Sequence, residues 1–146
     1  FLPRRAWALQ PSSGPTWFEW KKLTTNVYLA AGEGGNSIAI VGKGELIVVD
    51  SKNPGFGATL RREAEALGFG PVRTLINTHH HADHVGGNSA FTTDCAVIAH
   101  ANAKPRFAPQ EKRLVDGGRN AIGQVARNAK VAKEAVLKDL EAFVAS

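Results

Sequence analysis

The sequence predicts an α/β fold in which a mixed β-sheet is flanked by helices. Short apolar runs separated by glycine-rich turns dominate the first half of the chain, as in SIAIV at 37–41 and LIVV at 46–49. A helical pattern interrupts these strands at 58–67, and a further strand follows at 72–77. The order β-β-β-α-β-α-β-α is typical of a mixed sheet with helices packed on it.

Length and composition indicate one soluble domain with an ordinary core. The chain has 146 residues, of which 43% are hydrophobic and 21% are charged, and both shares are usual in globular proteins. The net charge is +5, but the basic residues are dispersed rather than clustered with aromatic residues. No apolar run approaches the roughly 18 residues of a membrane span. We therefore expect neither nucleic-acid binding nor a transmembrane segment.

The N-terminal segment, residues 1–20, is predicted to be an extended arm. It contains all three tryptophans and three of the seven prolines, and it does not begin with methionine, so we expect a processed or incomplete terminus. Its TWFEW sequence at 16–20 is predicted to be a short strand or an anchor. Trp17, Phe18 and Trp20 are expected to cover the domain's own edge, and contact with a partner is the alternative.

The strands are predicted in order from their apolar runs. TTNVYLAA at 24–31, SIAIVG at 37–42 and LIVVD at 46–50 form the first three, joined by the turns GEGGN and KGE. VRTLIN at 72–77 is the fourth and CAVIAH at 95–100 is the fifth. The second and third strands are apolar on both faces, and such strands are normally covered on both sides.

Two helices are predicted from periodic apolar residues. In the first, Leu60, Ala64 and Leu67 share one face. The second covers 119–145, where apolar residues recur every three or four positions; they are Ile122, Val125, Ala129, Ala132, Val136, Leu140 and Phe143.

The segment NTHHHADHVGG at 77–87 carries the strongest indication of function. His79 and His81 stand two apart after a strand, so in extended backbone their side chains point the same way and can converge on one metal ion. Asp83 and His84 follow where the chain turns into a helix, and they can serve a second ion or orient a water on the first. Imidazole and carboxylate ligands at this spacing suit zinc, and they also suit iron or manganese.

The other histidines and the single cysteine are expected to have structural roles. His80 alternates away from the pair and is predicted to face solvent or to support a ligand. His100 ends a strand and is predicted to be a hydrogen-bonded structural residue. Cys95 opens a buried-looking strand, where we expect it to pack in the core. A histidine-rich loop without ligands is the alternative explanation for the cluster, but the pattern H-x-H-x-D-H between a strand and two glycines does not favour it.

From Thr24 to His100 the sequence resembles the N-terminal half of the metallo-β-lactamase superfamily, whose signature is H-x-H-x-D-H. The resemblance includes the paired early strands, the LIVVD strand that ends in an acid, the helix after it, LINTHHHADHVGGN and VIAHANAK. It implies one half of an αββα sandwich and a zinc cofactor of one or two ions. By this resemblance His79 and His81 belong to a first metal site, and Asp83 and His84 belong to a second.

The same resemblance implies roles and an activity. Asp83 is the implied catalytic residue near the nucleophilic water, and Asp50 braces the metal loop from the neighbouring strand. The family usually continues this acid with a small residue and glycine, whereas Ser51 and Lys52 follow it here. The implied activity is metal-dependent hydrolysis, in which a metal-bound hydroxide attacks an ester, thioester, amide or phosphoester. The fold does not supply the substrate.

The ligand set is incomplete by comparison with the family. Members add a third histidine, a bridging aspartate and a last histidine downstream, and this sequence has no histidine after His100. Three explanations remain open. An internal segment is absent, between about Gln110 and Arg119; or a shortened relative serves as a non-catalytic structural or binding subunit of a larger assembly; or two chains pair. A small-molecule substrate is expected only if the site is complete.

These features divide the chain into an arm at 1–20, a half domain resembling this family at 21–110, and a linker with a C-terminal amphipathic helix at 111–146. One face of the sheet is expected to pack under the helices, and the other to be covered by another protein chain, by absent residues or by the arm. The two predicted sets on the second and third strands are Ile38, Ile40, Leu46 and Val48, and the alternates Ala39, Val41, Ile47 and Val49.

Overall fold

A computed structural model describes residues 16–107 of the chain. This part forms one six-stranded sheet whose strands lie in sequence order. The first four strands are antiparallel neighbours, and the last three are parallel neighbours, so the predicted mixed sheet is confirmed. The strands are β1 (Glu19–Lys22), β2 (Val27–Ala31), β3 (Ser37–Val41), β4 (Leu46–Val49), β5 (Val72–Asn77) and β6 (Ala96–Ala99).

The helices connect the parallel strands. Helix α1 (Gly57–Glu65) crosses from β4 to β5, as a parallel pair requires, and it buries the predicted Leu60 and Ala64. Helix α2 (Ala82–Val85) and two 3-10 helices, Asn88–Phe91 and Ala101–Ala103, follow β5. None of the helices in residues 16–107 has the length and apolarity of a membrane span. The helix predicted at 119–145 lies outside the described residues.

Strand boundaries differ from the prediction where turns compete with the sheet. The fourth predicted strand is observed as β5 with the same bounds, but β2 starts at Val27 instead of Thr24. The reason is a tight turn in which the backbone N–H groups of Leu23 and Thr24 both donate to the Val27 carbonyl, at 2.9 and 3.2 Å. Those two donors are therefore not available for strand pairing.

The TWFEW segment packs on the domain itself. Trp17 and Phe18 meet the ring of Phe56 edge-on, with centroids 5.6 and 6.5 Å apart. The Trp17 backbone N–H and the Trp20 Nε1–H donate to the two carboxylate oxygens of Glu63 on α1, at 2.8 and 3.0 Å. Of the two predicted alternatives, the structure has the intramolecular one, and the segment leads directly into edge strand β1.

The core lies on the sheet face that packs against α1. Tyr28, Ala39, Val48 and Leu75 are buried there together with Leu60 of the helix. The opposite face is only half-buried; its residues on the central strands are Ile38, Ile40, Ile47 and Val49.

The predicted grouping of these strand residues is wrong in its register. The antiparallel pairing of β3 with β4 places Ile38 opposite Val49 and Ala39 opposite Val48. Residues paired across two strands share a face, so Val48 is buried with Ala39 and not with Ile38. The length and geometry of the connecting turn set this register, and alternation within each strand does not reveal it.

Candidate metal centre

The histidine motif lies at the edge of the sheet where the parallel strands β4 and β5 end. The Asp50 backbone N–H donates to the Ile76 carbonyl at 2.8 Å, which continues the pairing of the two strands by one residue. Carboxyl ends of parallel strands meet at one sheet edge, where ligand sites of α/β folds are usually built. This pairing brings Asp50 next to the segment from Thr78 to His84.

Asp50 is a buried carboxylate that holds this segment. It is 3% exposed and accepts three hydrogen bonds from two residues. Oδ1 accepts from the Thr78 backbone N–H at 2.8 Å, and Oδ2 accepts from the Thr78 hydroxyl and from His84 Nδ1, both at 2.7 Å. The hydrogen bonds expected of Asp50 are therefore present, and its support of a bound metal stays a prediction.

These hydrogen bonds fix the tautomers of two histidines. Asp50 is an acceptor only, so His84 must carry its proton on Nδ1. The single Thr78 hydroxyl proton goes to Asp50, so the hydroxyl oxygen accepts from His79 Nδ1, which lies 3.0 Å away. Both imidazoles consequently present Nε2 with a free lone pair, the form in which histidine binds metal.

The two imidazole rings lie close together. The ring centroids of His79 and His84 are 4.1 Å apart, and one ligand atom each from Asp50, His79 and His84 fall within 4.8 Å of one another. Both oxygens of Asp50 already accept hydrogen bonds from Thr78 and His84. The carboxylate of Asp83 also lies near His84, with its Oδ2 at 3.4 Å from Nε2 of the imidazole.

His81 is not part of this group. Its ring centroid is 4.7 Å from that of His79, but it is exposed and lies immediately before α2 with extended backbone. The prediction that the side chains of His79 and His81 point the same way assumed that the backbone continues as a strand through both residues. Strand β5 ends at Asn77 and the backbone bends at the next two residues, so simple alternation does not apply there.

His80 is half-buried beside the motif. Desolvation lowers its pKa below the ordinary value, and the positive charge of Arg106 lowers it further. A lowered pKa favours the neutral form of the imidazole.

His100 and Cys95 have structural contacts outside the group. His100 Nδ1 accepts from the Asn102 backbone N–H at 3.2 Å and caps the last 3-10 helix. The Cys95 thiol donates to the Val72 carbonyl at 3.0 Å and packs against the core. Burial raises the pKa of this thiol, which leaves it protonated and weakly reactive.

A polar network behind His84 was not predicted from the sequence. Ser51 Oγ donates to Asn88 Oδ1 at 2.8 Å and accepts from the Gly87 backbone N–H at 3.1 Å. The amides of Asn77 and Asn88 bond to each other at 2.8 and 3.1 Å, and the Ser51 N–H donates to the His84 carbonyl at 2.7 Å. The network fixes the backbone that carries His84.

Two glycines let this backbone approach α1. A Cβ on Gly87 would overlap the Ser51 carbonyl oxygen and the Cα of Gly57. Both obstacles are backbone atoms that cannot move aside, so a side chain at either glycine would push the motif away from the first turn of α1.

Comparison with known proteins identifies relatives. The family model of the metallo-beta-lactamase superfamily matches residues 30–142. A hydroxyacylglutathione hydrolase from Rhodospirillum rubrum is 36% identical over 83 residues, which cover 56% of this chain and 31% of that protein. One from Xanthomonas campestris pv. campestris is 32% identical over 81 residues, covering 56% and 28%. The chain thus spans about a third of the length of these curated relatives.

A solved structure shows the same fold. A metallo-beta-lactamase from Hirschia baltica superposes with a TM-score of 0.59 at 23% sequence identity, over 64% of this chain and 48% of that one. At this identity the likeness extends to the fold alone.

Proposed function

The chain belongs to the metallo-beta-lactamase superfamily, and from this premise we propose that it is a metal-dependent hydrolase of thioesters. The observation that carries the proposal is the pair of imidazoles at the sheet edge, each with Nδ1 engaged and Nε2 free. The thioester is suggested by relatives that are named hydroxyacylglutathione hydrolases.

Zinc fits the donors that the motif offers. His79 and His84 would hold it through Nε2, and the carboxylate of Asp83 and the imidazole of His81 lie next to them as the other predicted ligands. When bound, zinc makes water acidic enough to supply hydroxide near pH 7 and polarises the carbonyl under attack.

Asp83 would be the catalytic carboxylate of this reaction. Its side chain is 46% exposed, in contrast to buried Asp50, so a water molecule and a substrate can reach it. A half-exposed carboxylate beside the free edge of His84 can accept a hydrogen bond from the attacking water and orient it towards the thioester carbonyl. Asp50 would act through His84, by keeping Nε2 free.

The remaining metal ligands would come from outside the described residues. Within residues 16–107 the structure contains one group of three candidate ligand residues, Asp50, His79 and His84, and both oxygens of Asp50 are already engaged in hydrogen bonds. Catalytic zinc normally has three protein ligands. We propose that a segment beyond this range, in this chain or in a partner, completes the centre.

A partner protein is also proposed for the half-buried face of the sheet. This face carries Ile38, Ile40, Ile47 and Val49, and Ile98 of the edge strand β6, which pairs with Ile76 on the same face, is 52% exposed. Exposed apolar groups of this kind favour coverage by another polypeptide. They also favour the alternative function, a binding or structural subunit derived from a hydrolase.

The test is release of free thiol from a hydroxyacylglutathione thioester by the full-length protein, purified with any partner that it retains and supplied with zinc. We expect hydrolysis that disappears in His84→Ala and persists in His100→Ala, which removes a histidine outside the centre. A zinc-loaded protein that leaves the thioester intact contradicts the hydrolase proposal and favours the binding subunit. The intact mass gives a separate check, because a value above 15.6 kDa would reveal further residues.

A further inference from the structure

Lys52 is a fully buried lysine two residues after Asp50. Its exposure is 0%, and its φ of +74° lies in the left-handed region, which residues other than glycine rarely adopt. A strained conformation persists only where the surrounding structure holds it. The contacts of the Lys52 ammonium group show what holds it here.

The ammonium group joins a strand to a loop. Nζ donates to the carbonyl of Ala30 on β2 at 2.7 Å and to the carbonyl of Gly35 at 2.8 Å. It also lies 5.1 Å from the centre of the Phe18 ring, within the range of a cation–π interaction. Gly35 belongs to the loop between β2 and β3, so Lys52 connects this loop to the strand before it.

The other side of Gly35 faces the metal centre. The Gly35 backbone N–H donates to the Asp83 carbonyl at 3.1 Å. A Cβ on Gly35 would overlap Cε1, Nε2 and Nδ1 of the His84 imidazole, so the glycine packs directly against the ring. Gly35 is therefore held by Lys52 through its carbonyl and touches the site through its amide and its Cα.

We propose that Lys52 is a positioning residue that holds Gly35 against the His84 imidazole. Asp50 holds the ring through a hydrogen bond to Nδ1, and Gly35, held by Lys52, restricts the ring by direct packing. The two together leave one ring orientation for ligation. The effect on metal rests on the proposed function, whereas the positioning of Gly35 does not.

The test compares variants that remove the ammonium group. Lys52→Met keeps the aliphatic stem, and Lys52→Gly also relieves the left-handed backbone, so it remains informative if the methionine variant fails to fold. Lys43→Met, in the exposed turn between β3 and β4, is the matched control. Hydrogen exchange of the Gly35 amide is measured against that of the Thr78 amide, which donates to Asp50.

We expect Gly35 exchange to accelerate at least about tenfold in both Lys52 variants while Thr78 exchange is unchanged, because only the loop is released. Zinc affinity, titrated with zinc alone, should fall by about tenfold, the size of effect that outer-sphere partners have. Lys43→Met should change neither quantity.

Equal acceleration of Gly35 and Thr78 would show a general loss of stability and overturn the proposal. Zinc affinity equal to that of Lys43→Met, despite faster Gly35 exchange, would also overturn it, because the loop would then not act on the site. If the unmodified protein binds no zinc, the proposed function fails, and the exchange measurement alone decides whether Lys52 positions Gly35.

Discussion

Asp50→Asn should place a proton on Nε2 of both His79 and His84, so that neither nitrogen can bind a metal. The asparagine amide would replace Oδ2, which now accepts from His84 Nδ1 and from the Thr78 hydroxyl. As a donor, the amide would make His84 Nδ1 an acceptor and turn the Thr78 hydroxyl proton towards His79 Nδ1. Both protons would then sit on Nε2. We expect zinc affinity to fall about ten- to a hundredfold, which corresponds to roughly 1.4 to 2.7 kcal/mol.

The assay combines a competitive zinc titration against a chromogenic chelator with the ¹H–¹⁵N spectrum of the imidazoles. The spectrum should report Nδ1–H on His79 and His84 in the unmodified protein and Nε2–H in the variant. Asp94→Asn is the matched control, because that carboxylate pairs with Arg61 and Arg73 at 2.7 and 3.0 Å, away from the motif. An Asp50→Asn protein that binds zinc as tightly as the unmodified protein would refute the reasoning.

Three further predictions concern the support of the site. Ser51→Ala should lower the free energy of unfolding by about 1–3 kcal/mol, because the Gly87 N–H loses its acceptor. The control Ser37→Ala should be neutral or stabilising, because the buried Ser37 Oγ has no hydrogen-bond partner in the described structure. Chemical denaturation in which Ser37→Ala is the more destabilised variant would contradict this. Gly87→Ala should cost at least about 2 kcal/mol through overlap with the backbone of Ser51 and Gly57, and an unchanged denaturation midpoint would count against that close approach. Burial lowers the pKa of Lys52 from 10.5 to about 8, so the unfolded chain binds more protons between these values and stability should rise as the pH increases from about 8 to about 10.5. That rise should be absent in Lys52→Met, and identical pH profiles of the two proteins would contradict it.

The sequence predicted the elements of the fold better than their relative positions. Alternating apolar residues indicated β3 and β4, and VRTLIN gave the bounds of β5, because these patterns are local. The pairing of Ile38 with Val49 could not be predicted, because register depends on the turn between the strands. The start of β2 was missed for a similar reason, since the turn at Leu23 uses donors that the sheet would need.

The same limit applies to the candidate site. The H-x-H-x-D-H spacing indicated a metal centre, and the acid at the end of LIVVD suggested Asp50 as its support. His81 lies outside the group of Asp50, His79 and His84, and the backbone bends after Asn77, which no residue in the motif signals. Lys52 was noticed only as a departure from the usual glycine, because its two carbonyl partners lie 22 and 17 residues away in the chain.

The most direct test of the central claim is a zinc titration of the purified chain, with elemental analysis before and after dialysis against a mild chelator. We predict weak binding that is lost on dialysis and abolished in the double variant His79→Ala and His84→Ala, since these residues supply part of a centre. Binding that is unaffected by the double variant would contradict the assignment of the site. Tight one-to-one zinc that survives dialysis would contradict the claim that ligands from elsewhere must complete it.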